Sequence, residues 1–187
     1  MLHIAILEEI QNLLLRIPGI INCFEKRDPM FTDLVKEWLL QAEQILVNNR
    51  LSVAADVAVL RGVLINAERG VLPASITFTG EKTTRKIKTS VAADVLQKAN
   101  ELVSNAINVT EVQIAEGERL ARQLVALAQR KGLIPANQNS NGHTEWLSAI
   151  WKAMYVDPEL GPATTHLAGI VGIYDAMILI DRMITIV

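Results

Sequence analysis

The sequence predicts an all-α fold, a helical bundle of six or seven helices in a single helical domain spanning residues 1–187. Apolar residues recur at 3–4 spacing through most of the chain, the period of one face of a helix. Half of the residues are hydrophobic but only 4% are aromatic, so the core is aliphatic, as helical bundles commonly are. Glycine, proline and capping residues fall where helices need to start and stop. A chain of this size buries about 70% of its unfolded surface, enough for one core.

Residues 2 to 17 read as the first helix, with Leu2, Ile6, Ile10, Leu13, Leu14 and Ile17 on one face and Pro18-Gly19 ending it. Asp28-Pro29 opens the second, an N-cap followed by proline at the first helical position. Phe31, Leu34, Val35, Trp38, Ala42, Ile45 and Leu46 then form the clearest amphipathic face in the chain. After the turn Asn48-Asn49-Arg50, a third helix runs from Ser52, its cap, to Arg69, antiparallel to the second. It is nearly as apolar as the last helix, and both are expected innermost.

The exits Arg69-Gly70-Val71-Leu72-Pro73-Ala74 and Lys131-Gly132-Leu133-Ile134-Pro135-Ala136 resemble each other. Each places glycine where a left-handed residue follows a helix, with proline beyond to forbid continuation. Ser90 caps a fourth helix, and Thr110 with Gln113 has capping-box spacing for a fifth. A break near Asn108-Val109 is therefore expected, with one helix over 91–131 as the alternative. Asn137 to Gly142 is a polar loop before a sixth helix over His143–Val156. Residues 75–89 alone suit strand, and a protruding loop or small hairpin is expected there.

The final stretch, Pro162 to Val187, reads as one helix whose apolar side chains cover an arc of roughly 200°. A helix so apolar is buried on most sides. Thr164, Ala168, Gly172 and Ala176 recur every four positions, a small-residue groove that lets another helix approach. Ala168, Gly172 and Ala176 are the expected packing interface, against either the third helix or another copy. Asp175, Asp181 and Arg182 interrupt the stretch. They leave it short of the run of about 20 apolar residues that a membrane span needs.

The net charge of −2 excludes a generally basic nucleic-acid binder. The single cysteine, Cys23, cannot close an intrachain disulfide. Glu8 and Glu9 interrupt the N-terminal apolar run, so no secretory leader is expected, and a cytoplasmic location is. His3, His143 and His166 form no Glu-x-x-His or His-x-x-x-His pair, so neither a metal site nor a cofactor is expected. Asp175 lies on the edge of a largely buried helix, so either that edge faces solvent or the carboxylate pairs with a cation from another helix such as Arg61.

The most functional-looking stretch is Glu81 to Lys88. Its cations Lys82, Arg85, Lys86 and Lys88 give a local basic patch that suits nucleic-acid phosphates or an acidic partner. Trp146 is rotated away from Trp151 and Tyr155; it either fills the core or, left exposed beside the Asn-rich loop, marks a partner surface. No catalytic constellation is readable. The expectation is a non-enzymatic assembly or adaptor protein that self-associates or docks to protein subunits through apolar helix faces. The alternatives are a nucleoprotein subunit touching RNA or DNA through 82–88, and a small-molecule-binding bundle with a pocket near His166 or Asp175.

Overall fold

The computed structural model describes residues 3–71, 84–135 and 142–186. Among these the chain is helical and contains no strand. The helices are α1 (Ile4–Leu14), α2 (Ile17–Glu25), α3 (Phe31–Asn48), α4 (Ala54–Glu68), α5 (Thr84–Arg130), α6 (His143–Val156), α7 (Gly161–Val171) and α8 (Ile173–Ile186). Only Leu15 and Arg16 separate α1 from α2, and taken as one bent helix they make seven, within the expected number. None of these helices is long and apolar enough to cross a membrane. By contacts the chain divides into two compact units: Ala5–Asn108, and Met1–Ile4 with Val109–Val187.

In the first unit, the bend between α1 and α2 comes from Pro18 acting four residues back. A proline lacks the N–H that would bond the carbonyl of residue i−4, and its ring crowds that carbonyl. Here that residue is Leu14, where α1 ends. Pro18 then sits in the first turn of α2, where its missing N–H would have had no partner anyway. The expected stop at Pro18-Gly19 is thus displaced to Leu14. Trp38, fully buried on α3, donates its Nε1–H to the Leu13 carbonyl at 2.9 Å, tying α3 to the bend.

The face predicted for residues 31–46 is buried at Phe31, Val35, Trp38, Ala42 and Leu46, joined by Leu39. Its opening differs in detail: α3 starts at Phe31, and Asp28 closes the preceding turn by accepting the Met30 N–H at 2.8 Å. α4 packs on α3, but it buries one face only, Ala54, Val57, Leu64 and Ala67, and is not an innermost helix. Ser52 provides no cap; Val53 stands at the N-cap position without a side-chain hydrogen bond. Arg61 pairs through its Nε with Glu43 at 2.5 Å.

Four helices end in the same hydrogen-bonded turn. At Gly70, the Val71 N–H reaches the Asn66 carbonyl at 2.9 Å and the Gly70 N–H reaches Ala67 at 3.1 Å. At Gly132, Leu133 reaches Ala128 at 2.9 Å and Gly132 reaches Gln129 at 3.0 Å. Both glycines have positive φ, as their sequence context predicts. The other two ends use arginine at the left-handed position: Arg27 (φ 56°) and Arg50 (φ 55°). Asp28 bonds back to Cys23 and Leu51 to Leu46, each at 2.9 Å.

α5 is one helix from Thr84 to Arg130 and contributes to both units. Residues 84–89 open it, so no hairpin returns through Thr84 to Lys88, and Ser90 lies inside the helix rather than capping it. Residues 72–83, including most of the expected protrusion, lie outside the described residues. The expected break near Asn108-Val109 is absent. Val103, Ile107, Thr110, Ile114, Gly117, Ala121, Leu124 and Ala128 are all buried and alternate steps of four and three. A stripe that keeps phase has no reason to stop.

In the second unit, the apolar C-terminal stretch is two helices. Gly172 stops α7 with φ 87° and ψ 156°, a region open essentially to glycine alone. Each helix buries one face: Thr164, Leu167 and Val171 on α7, and Asp175, Ala176, Leu179, Ile180 and Met183 on α8. His166, Gly169, Ile173 and Tyr174 are exposed. The close approach occurs at Gly117 on α5, where an added Cβ would lie 2.8 Å from Val171 Cγ1 and 3.1 Å from Leu179 Cδ1. Lys131 bridges Asp157 (2.8 Å) and Glu159 (2.7 Å). Hydrogen bonding to Asp157 first, and then to Glu159, raises the Lys131 pKa, while Lys131 and the Leu160 N–H hold the Asp157 carboxyl below its usual range.

Candidate functional site

The sequence-predicted residues do not converge. Ala176 is fully buried, Ala168 is half-buried, and Gly172 is the break itself. The helix turn at Gly172 divides the stripe, and a Cβ at Gly169 or Gly172 would meet nothing within 4 Å among the described residues. Trp146 is 8% exposed and fills the core of its unit rather than presenting a surface. Its ring stacks on His143, whose Nε2 lies 2.9 Å from Asp181 Oδ1. A cavity of about 470 Å³ lies beside Trp146, Asp181 and Gln129. Among the described residues the Trp146 Nε1–H has no partner, and it is sealed from solvent, so this cavity does not reach it.

Asp175 is paired, though not with Arg61. Its Oδ2 accepts from the Ile4 N–H and approaches His3 Nδ1, both at 3.3 Å. Ile4 opens a helix, so its N–H has no partner within that helix. A carboxylate there satisfies the donor and suits the positive helix end. Asp175 thus has a structural task. Among the described residues no group of three His, Cys, Asp or Glu side chains gathers as a metal site.

The basic segment fares differently. Lys82 lies outside the described residues and Lys88 is half-buried, whereas Arg85 and Lys86 are exposed in the first turn of α5. They line one end of a groove of about 910 Å³ within the first unit, with Thr89 and Ser90 following on α5. The facing wall is Phe24, Glu25, Arg27 and Asp28. Phe24 and Phe31, with ring centroids 5.1 Å apart, form its floor. Arg85 donates from one Nη to the Arg27 carbonyl at 3.2 Å, which ties the start of α5 to the left-handed turn after α2.

The groove does not end at the aromatics. A further hollow of about 310 Å³ shares Phe24, Phe31 and Ala93 and continues between Ile17 and Ile21 on one side and Leu96 on the other. Together they grade from cationic and hydroxylic to apolar. Ile21 and Phe24 remain 45% and 42% exposed, so the apolar part is open rather than enclosed. The sequence points to Arg85 and Lys86 of this site but not to Arg27 or to its apolar half. The only available signal was that Ile17, Ile20, Ile21 and Phe24 together exceed what one buried face of so short a helix can cover.

No family model matches the sequence, and neither a curated protein nor a solved structure is similar to it.

Proposed function

We propose that this protein is a non-enzymatic docking or assembly protein that holds another protein subunit in the groove between α2 and α5. The observation that supports this reading is the continuous open groove in which Ile21 and Phe24, both large and apolar, stay more than two-fifths exposed beside Leu96 and Phe31. Uncovered apolar surface in a concave setting marks a partner site. Site-specific photo-crosslinking tests it. A crosslinking residue in place of Ile21 should yield an adduct with one defined protein in native cells, absent when Phe24→Glu is added. The same residue at Lys98, exposed on α5, should yield none. No protein adduct at position 21, or an equal one at 98, would remove the reading.

A second reading, contact with nucleic-acid phosphates, draws support from the exposure of Arg85 and Lys86. Glu25 and Asp28 stand at the same end of the groove and oppose phosphate binding. Oligonucleotide binding at low salt that is lost on neutralising Lys82, Arg85, Lys86 and Lys88 would favour it.

A further inference from the structure

Resting on the docking reading, we infer that the groove takes an amphipathic helix whose apolar stripe ends in a cluster of acidic side chains. Three features of the site lead to this occupant. Its length comes first. The lining residues of α5 fall at Lys86, Thr89, Ser90, Ala93, Leu96, Gln97 and Asn100, one face of about four turns or roughly 21 Å. A partner helix of similar length lies along such a face with anchors at i, i+3, i+4 and i+7.

Openness is the second feature. Pockets for small molecules enclose 70–90% or more of the ligand surface. Here Ile21 and Phe24 stay substantially exposed, which suits a ligand that needs only one side covered. A helix with a polar outer face is such a ligand.

Charge is the third. Arg27, Arg85 and Lys86 gather at one end, and none of them has a carboxylate partner among the described residues. Arg85 and Lys86 sit in the first turn of α5, which contains no acidic residue, and cations are disfavoured at a positive helix end. Carboxylates supplied by the occupant relieve that repulsion and fix its register, while the hydroxyls of Thr89 and Ser90 offer further hydrogen bonds. Glu25 and Asp28 border the same end. Asp28 is engaged with the Met30 N–H. That bond does not remove the repulsion from Asp28 or from Glu25, so the incoming acids belong on the Arg85–Lys86 wall of the groove, opposite both.

The test uses the full chain and three labelled 18-residue helical peptides that share a leucine stripe and differ in the last turn, with glutamate, glutamine or lysine there. Fluorescence anisotropy at low salt should rank them glutamate, glutamine, lysine, with about tenfold between the ends. Added salt should shrink that gap. R85E/K86E should reverse the order, and Ile21→Glu, at a half-exposed position, should abolish binding of all three. Equal affinity for the glutamate and lysine peptides would overturn the acidic assignment and leave the docking reading standing. Binding of none would overturn the helical occupant. A dimer in light scattering that Ile21→Glu dissolves would assign the groove to a second copy instead. An oligonucleotide that displaces the glutamate peptide and still binds Ile21→Glu would assign the cationic end to nucleic acid.

Discussion

Residues 107–110 and residues 168–173 meet the same kind of local pressure and resolve it in opposite ways. In the first, Asn108, Val109 and Thr110 are poor helix formers set in the middle of α5. The helix continues because Ile107, Thr110 and Ile114 keep the buried stripe in phase. In the second, the side chains around the break are just as apolar, yet the helix stops at Gly172 because that backbone lies at φ 87°. Weak propensity costs tenths of a kcal/mol per residue and is overridden by burial. A positive-φ residue ends a helix outright.

The largest expected effect comes from forcing the first region to behave like the second. Val109→Pro removes no packing, since Val109 is 69% exposed, but it deletes one helical hydrogen bond and crowds the Asn105 carbonyl. Chemical denaturation should show a loss of about 3 kcal/mol. An unchanged midpoint would mean that α5 is already interrupted there. The reverse experiment is Gly172→Ala, whose Cβ meets nothing but whose backbone conformation disfavours any side chain. The expected loss is about 1–3 kcal/mol, and a gain instead would show α7 and α8 to be continuous.

Gly117→Val probes what packs against these helices. The new side chain meets Val171 Cγ1 at the 2.8 Å Cβ distance, and Val171 is stiff about χ1. A loss of about 1–3 kcal/mol is expected from overpacking, with relief in the Gly117→Val, Val171→Ala pair. Gly169→Ala is the contrasting control. This glycine is exposed, inside α7 and, among the described residues, without a neighbour within 4 Å of an added Cβ, so its replacement should stabilise by about 0.8–1 kcal/mol.

The smallest effect is expected where α5 ends. Lys131→Met should lower the melting temperature slightly and evenly across neutral pH. The depressed Asp157 carboxyl contributes stability above the ordinary value of 3.8 and loses it as pH falls through its folded value. The raised Lys131 contributes below 10.5 and loses its contribution as pH rises beyond. The wild-type advantage should therefore vanish at both extremes, and an advantage that persists in acid would show that the ion pair is not its source.

Legibility in the sequence followed how specific each signal is to one backbone geometry. Gly70 and Gly132 were readable because glycine followed by an apolar residue and a nearby proline suits one turn and little else. Pro18 is visible in the sequence, but its action reaches back to Leu14, so the expected helix end at Ile17 falls three residues late. Arg27 and Arg50 were invisible, since arginine carries no left-handed signature. Thr110 with Gln113 imitated a cap because threonine and glutamine are also tolerated inside helices. At the candidate site, Arg85 and Lys86 stood out by charge. The wall of Ile17, Ile21 and Phe24 is brought to them only by tertiary packing, which no spacing along the chain records.

The arginine at position 50 has a practical corollary. Its exposed side chain occupies a turn that glycine would enter without the penalty of roughly 1–2 kcal/mol that a Cβ incurs there. Engineering a hardier form of the molecule for crystallography or storage would begin with Arg50→Gly. It would leave Arg27, which shares the same geometry, untouched for the sake of the groove it borders.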